Sequence, residues 1–365
     1  MSMPERWPLK RITLAGYKSI RKLDAFPLNR GLNVLIGANG SGKTNFIRFF
    51  ELLGEMMDPN KGLQNYVSAR GGADTFLFRG MKVTPEFHAD LKFGNNEYRF
   101  TLKAADDRSL FFAQESASFP RHFYVYGKGH NESRLFLRKR MGIQRIHLSG
   151  KIIRSIQDWR VYHFQDTSPS ARVMDRCNTV DCDVLHGNAS NLAAFLMRMA
   201  QTHPAQYAQI EETVRQVAPF FGTFVLKEVA PGQTQLLWKD RYSDLLYYPH
   251  QLSDGTLRYI CLAALLLQPN PAATIIIDDP ELGLHPFAIK LLASLLHEAA
   301  GRAQLIVSTQ SSLLVDELTP EQVIVVNHRD GETLFERLDS ARLAGWLKEY
   351  TLGQLWEKNE LGGLP

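Results

Sequence analysis

Only Cys177, Cys182 and Cys261 carry thiols in 365 residues. Two of them lie close together in sequence, but the spacing suits no common zinc pattern and no His/Cys cluster completes a site. A disulfide framework and a structural zinc are therefore excluded, and reduced thiols are expected. No apolar run approaches the ~20 residues that a bilayer-spanning helix needs; the most apolar stretch is only Ile260 to Leu267. The opening MSMPERWPLKRITL has no long apolar core, so no secretory leader is expected. Low-complexity tracts and internal repeats are missing too. These absences predict a soluble, cytoplasmic protein without membrane association. Charge of one sign is also scarce. A net charge of +4 permits an acidic partner such as nucleic acid without demanding one. What remains is a chain with 44% apolar residues, ample for a large core.

Within that frame the segment GANGSGKTN, Gly37 to Asn45, fits G-x-x-x-x-G-K-[ST] and follows the apolar run LNVLIG. Each part has a physical task. The glycines allow a tight turn that aims amide N–H groups at phosphate oxygens, Lys43 supplies charge for the β/γ-phosphates, and the Thr44 hydroxyl can ligate Mg²⁺. A helix starting here adds its positive dipole end. Asn39, Gly40, Ser41, Gly42, Lys43, Thr44 and Asn45 are the expected nucleotide contacts.

Leu32 to Ile36 reads as a buried strand, and Lys43 to Met57 as a helix apolar on nearly every side, the mark of a central element. Residues 58–80 are glycine-rich and read as loop. Alternation at Phe87, Ala89, Leu91, Phe93 and again at Tyr98, Phe100, Leu102 predicts a hairpin. LFFAQES and HFYVYG extend it to an antiparallel lobe over 85–127. Asn188–Ala200 and Gln206–Val217 read as inserted helices, with VLKEVA and TQLLWK as strands after them. From Ser253 onward helices alternate with strands, which argues a parallel, doubly covered sheet: helix Ser253–Leu267, strand Thr274–Ile277, helix Pro286–Ala299, strand Gln304–Ser308, a shorter helix and the strand QVIVVN. The chain is divided as one domain, with an N-terminal lobe over 1–130, a basic and helical insertion over 131–250, and a C-terminal lobe over 251–365.

The strand in ATIIIDDPELGLHP ends in Asp278 and Asp279. A parallel strand delivers such residues to its carboxyl end, where ligands bind in open α/β sheets. There Asp278 can hold nucleotide-borne Mg²⁺. Asp279, one residue on, can orient and deprotonate an attacking water. In LSDGTLRY, Ser253 reads either as an ordinary helix N-cap or as part of an anion-binding helix terminus. Residues 133–157 carry Arg134, Arg138, Lys139, Arg140, Arg145, Lys151 and Arg154 without an acid. That stretch reads either as a track for a phosphate backbone or acidic partner or as a solvated face.

In this order GANGSGKTN, LSDGT, IIIDDPELGLHP and IVSTQSSLLVDEL resemble the ATP-binding-cassette ATPase heads of the SMC, RecF and overcoming-lysogenization-defect group. ITLAGYKSI resembles the first strand and turn of those heads. YTLGQLWEKNELGG resembles the ending of stand-alone bacterial ATPases of AAA type within the group. The resemblance implies an α/β fold with a mixed, mainly parallel phosphate-loop sheet, an antiparallel β lobe and an inserted helical element. It implies ATP and Mg²⁺, with Thr44 and Asp278 at the metal, and Asp279, Lys43 and Gln310 as catalytic residues. Ser253, Asp254 and Gly255 fall on the signature motif, which contacts ATP held by the opposite protomer of a head-to-tail homodimer. Gln310 stands where many relatives have a switch histidine, while His285 reads as a turn residue. Asp279 replaces the usual glutamate, which implies slow hydrolysis; Glu281 is a substitute in the wrong register. Gln64, Gln114 and Gln165 are the candidates for the Q-loop glutamine. The chain lacks the heptad arms of SMC proteins. The expectation is therefore an ATP-driven switch acting on an effector or nuclease-like protein in trans, in anti-phage defence or DNA maintenance. A non-hydrolysing scaffold is the alternative.

Overall fold

The computed structural model describes residues 7–58, 60–136, 147–157 and 159–363. Two six-stranded sheets dominate. The first is antiparallel and contains β1 (Leu9–Tyr17), β2 (Ile20–Pro27), β4 (Glu86–Phe93), β5 (Asn96–Ala104), β6 (Leu110–Phe119) and β7 (His122–Gly127), in the order β2-β1-β4-β5-β6-β7. The second holds β3 (Leu32–Ile36), β8 (Arg160–Tyr162), β9 (Thr274–Asp278), β10 (Gln304–Thr309), β11 (Val323–Arg329) and β12 (Glu332–Arg337). Its order is β12-β11-β3-β10-β9-β8, parallel except for β12 at the edge.

Strand pleating explains the layering, because successive side chains point to opposite faces. Val34, Ile36, Ile275, Ile277, Leu305 and Val307 join one core with α4 (Leu192–Thr202), α5 (Pro204–Val217), α6 (Asp254–Leu267), α7 (Pro286–Ala300) and α8 (Ser312–Val315). Leu35, Ile276, Ile306, Ile324 and Val326 face the other way. They join α1 (Lys43–Met56) and the antiparallel sheet in a second core. Helix α1 is thus enclosed between two sheets, as its all-round apolarity requires. The mixed α/β fold with an antiparallel lobe follows the reading of the sequence.

The stretch 58–80 corrects that reading. It contains α2 (Leu63–Ala69), which buries Leu63, Tyr66 and Val67. An i, i+3, i+4 apolar stripe suffices for two turns when a core is there to receive it. The strands expected in VLKEVA and TQLLWK are short pieces, Glu228–Ala230, Gln233–Thr234 and Trp238–Asp240. The basic stretch is also more structural than its charges suggest. Helix α3 (His147–Gln157) buries Ile152, Ile153 and Ile156 in the α1 core. The Arg134 guanidinium donates to the Tyr126 carbonyl at 3.1 Å, and Arg154 is exposed. Arg138, Lys139, Arg140 and Arg145 lie outside the described residues, as does the side chain of Lys151. Among the described residues no helix is long and apolar enough to cross a membrane.

Candidate functional site

The phosphate loop joins β3 to α1. Gly42 caps the helix at φ 110°, a left-handed conformation open to glycine at little cost. A Cβ there would also sit 2.1 Å from the Thr333 Oγ1 atom. That hydroxyl donates to the Ser41 carbonyl at 2.9 Å, so β12 holds the loop from behind. Lys43 is buried, and its ammonium donates to the Gly37 and Ala38 carbonyls at 2.5 and 3.0 Å. Burial lowers its pKa; Asp279, Asp278 and Glu281 oppose that shift. The Asn45 amide donates to Ser19 Oγ at 2.7 Å, which ties the first turn of α1 to the β1–β2 turn.

Thr44 and Arg48 are exposed one helical turn apart, with Glu51 one turn beyond. All three line a cavity of about 650 Å³ together with Lys18, Arg70, Thr75, His163, Gln165, Asp278 and Asp279. Two walls expected from widely separated sequence thus meet. Among the glutamine candidates, Gln165 is in this lining and its amide stands 3.5 Å from the Asp278 carbonyl. Gln64 instead bonds the Leu110 and Asn131 carbonyls, and Gln114 lies on β6.

The acidic wall is held by β10. Ser308 Oγ donates to Asp278 Oδ1. The Asp279 N–H donates to Ser308 Oγ at 3.1 Å. Asp279 has φ 45°, a left-handed conformation that Asp tolerates better than most residues. Its Oδ2 accepts from Gln310 Nε2 at 3.1 Å, so the two residues assigned together by sequence do touch. Burial raises the Asp279 pKa, Asp278 adds to the rise, and Gln310, Lys43 and Ser308 oppose it. Glu281 is buried and turns to the following segment, where its Oε1 accepts from the Gln310 N–H at 2.7 Å. It does not line the cavity. His285 caps α7, its ring nitrogen accepting from Phe287 N–H at 3.2 Å.

Ser253, Asp254 and Gly255 lie outside the cavity lining. Ser253 caps α6 by accepting from Thr256 N–H at 3.2 Å, and Ser253 and Asp254 are exposed. A Cβ on Gly255 would sit 2.5 Å from the Gly283 carbonyl, so the helix start packs directly on the turn after Asp279. Arg258 fastens that junction. Its guanidinium donates to the Leu282 carbonyl at 2.8 Å and to the Gln165 carbonyl at 2.7 Å.

Sequence reasoning missed Lys18, Arg48, Arg70 and Ser308. Lys18 donates to the Thr75 carbonyl at 2.7 Å and sits over the Phe76 ring. Arg70 pairs with Glu51 at 2.5 Å and covers the Tyr66 ring. Arg48 could have been found as the cation one turn after Thr44, and Ser308 as a polar residue closing a buried apolar strand.

Residues 32–316 match the family described as AAA domain, putative AbiEii toxin, Type IV TA system. The DNA replication and repair protein RecF of Aliivibrio salmonicida is 27% identical over 161 residues, and RecF of Aliivibrio fischeri strain MJ11 matches equally. That stretch covers 43% of this chain and 40% of either relative. Among solved structures, an SmcHead bound to the C-winged helix domain of ScpA is similar at TM-score 0.61 and 17% identity, over 92% of this chain and 99% of that one. The Smc head domain bound to the C-terminal domain of ScpA, derived from Pyrococcus furiosus, gives 0.57 and 16%, over 93% and 98%. With its phosphate loop and acidic strand end on a fold like that of the SMC head domains, the chain belongs to this AAA-domain family.

Proposed function

We propose that the cavity binds ATP with Mg²⁺ and that the chain hydrolyses it slowly, as a switch that closes head to tail with a second copy. The observation that carries this reading is the division of the site. Thr44, Asp278 and Asp279 line one cavity, with Gln310 bonded to Asp279 and Lys43 buried beside Thr44 in the same loop, while Ser253 and Asp254 stand exposed outside that lining. A helix N-terminus with a free polar face is an anion site in search of a ligand, and a second copy supplies one.

The residues fit Mg²⁺. The Thr44 hydroxyl and the Asp278 carboxylate are hard oxygen donors on the same lining, and Mg²⁺ prefers such donors shared with phosphate. The bound ion would neutralise charge developing on the phosphates. The chain's own groups do the rest. Lys43 would exchange two carbonyl partners for phosphate oxygens. Asp279, oriented by Gln310, would accept the proton of the attacking water. The aspartate is one methylene shorter than glutamate, and misplacement near 1 Å can cost ~10²-fold in rate; slow turnover follows. The nucleotide state would be read by an effector protein in trans, in defence or DNA maintenance, as the ScpA-bound Smc heads and the RecF relatives suggest.

Phosphate release and ATP-dependent dimerisation, measured for wild type and Lys43→Ala, test this. Turnover and dimerisation that both vanish in Lys43→Ala support the switch. ATP-dependent dimers without turnover above background favour the second reading, a nucleotide-dependent scaffold, which the Asp279 side chain also supports.

A further inference from the structure

The stretch Tyr350–Gly363 contributes nothing to the cavity lining, yet it reaches the back of the phosphate loop. It begins with α9 (Leu352–Glu357), capped by Thr351 and Gln354 and anchored by buried Leu352, Leu355 and Trp356. The Gly353 N–H donates to Asp316 Oδ1 at 2.7 Å. Asp316 is the C-cap of α8, the short helix that follows Gln310. At its far end the chain turns through Asn359 (φ 61°), Gly362 (φ 75°) and Gly363 (φ 84°).

Gly363 then makes two backbone bonds. Its N–H donates to Asn327 Oδ1 at 2.6 Å, and its carbonyl accepts from Ala38 N–H at 2.5 Å. A Cβ at this position would lie 3.3 Å from Gly37 Cα, 3.3 Å from Trp356 Nε1 and 3.1 Å from Val325 Cγ1. Ala38 is itself a junction. Its carbonyl accepts from Ser41 N–H at 3.1 Å and from Lys43 Nζ at 3.0 Å. The Gly37–Ala38 peptide unit is therefore held at its N–H by Gly363, while its carbonyl, that of Gly37, accepts from the Lys43 ammonium.

We propose that residues 351–363 are a strut between α8 and the phosphate loop, in which Gly363, Asn327 and Asp316 are positioning residues for nucleotide binding. The proposal rests on the reading of the cavity as a nucleotide site. The physical reason is preorganisation. A glycine-rich loop has many conformations, and ordering it during binding subtracts from affinity. Holding Ala38 through folded-state contacts removes that cost from the binding step. Because the strut's other end stands on α8, the loop is also held in register with the segment that carries Gln310.

The experiment is a titration of the full chain with Mg²⁺ and N-methylanthraniloyl-ATP, alongside steady-state kinetics and melting curves of the nucleotide-free protein. Gly363→Val is expected to bind about five-fold more weakly, the effect of one lost hydrogen bond, with KM raised and kcat within about two-fold. Asp316→Ala is expected to shift affinity in the same direction. Asp316→Asn, which keeps an Oδ1 acceptor for Gly353 N–H, is expected to restore it. Wild-type affinity in both Gly363→Val and Asp316→Ala, whether or not their melting temperatures fall, overturns the strut alone. A wild-type chain that does not bind the analogue overturns the nucleotide reading and the strut together. If Gly363→Val does not fold, the Asp316→Ala and Asp316→Asn pair decides by itself.

Discussion

The two walls of the cavity are built on different principles. The phosphate wall is local: the loop Gly37 to Asn45 and the first turn of α1 after it bring Thr44 and Arg48 to the lining, with Lys43 buried in the same loop. The acidic wall is assembled from β9, β10 and the segment after β8, and Ser308, Gln310 and Gln165 are its joints. A local device is set by its own sequence. An assembled one depends on strand register, because Asp278 meets Ser308 only through the pairing of β9 with β10. The first wall is suited to holding an anion. In the second, burial and the neighbouring Asp278 raise the Asp279 pKa, which suits that side chain to moving a proton.

That contrast can be broken by separating affinity from turnover. The largest effect is expected from Lys43→Ala, which should weaken binding of the methylanthraniloyl analogue by about 100-fold; a charge-assisted bond to phosphate is worth up to ~3 kcal/mol. Equilibrium titration checks it, and near-wild-type affinity would erase the distinction between the walls. Next comes Asp279→Asn, which should lower kcat by about 10²-fold, as expected for removal of a general base. Its nucleotide affinity should stay within about two-fold. Single-turnover phosphate release beside the titration reads both.

A smaller effect concerns stability. Burial raises the Glu281 pKa, with the Gln310 amide opposing. A carboxyl raised in the folded state contributes stability that is present at low pH and lost as pH rises through its folded pKa. Glu281→Gln, free of that loss, should melt about 2 °C higher than wild type at pH 7. The difference should vanish below about pH 4, the unfolded carboxyl range. The smallest effect belongs to Lys18, whose pKa burial, together with Arg48 and Arg70, pulls down to about 8. Its cationic form attracts phosphate, so affinity should fall as pH rises through 8, by about three-fold between pH 7 and 9. A Lys18→Met variant should lack that slope.

The same contrast decides how much was legible. The fold class followed from apolar periodicity, and Lys43 to Asn45 from a contiguous motif. Asp278 was found because a parallel strand has a predictable ligand end. Ser308 was not, since nothing in IVST marks which strand lies beside which. Lys18 and Arg70 reach the cavity only because the β1–β2 turn and α2 pack over α1, a tertiary fact without local signature. Gln165 stood among three glutamines until β8 was placed beside β9. Helix α2 was read as loop because its glycine-rich surroundings outweighed one short stripe.

Strand β3 lies at the centre of its sheet, between β10 and β11. Both neighbours come from the far end of the chain: Leu32 to Ile36 pair with Leu305 to Thr309, and Val34 to Ile36 with Val323 to Val325. During synthesis at roughly 5–20 residues per second, this mostly apolar strand waits on the order of 15–50 s for either partner. Both edges of a hydrophobic strand are unsatisfied in that interval, which is the exposure that drives mispairing. The antiparallel lobe, whose strands β4 to β7 follow one another closely, can close first. Production of this protein should therefore depend on translation rate and chaperone supply more than its finished stability suggests.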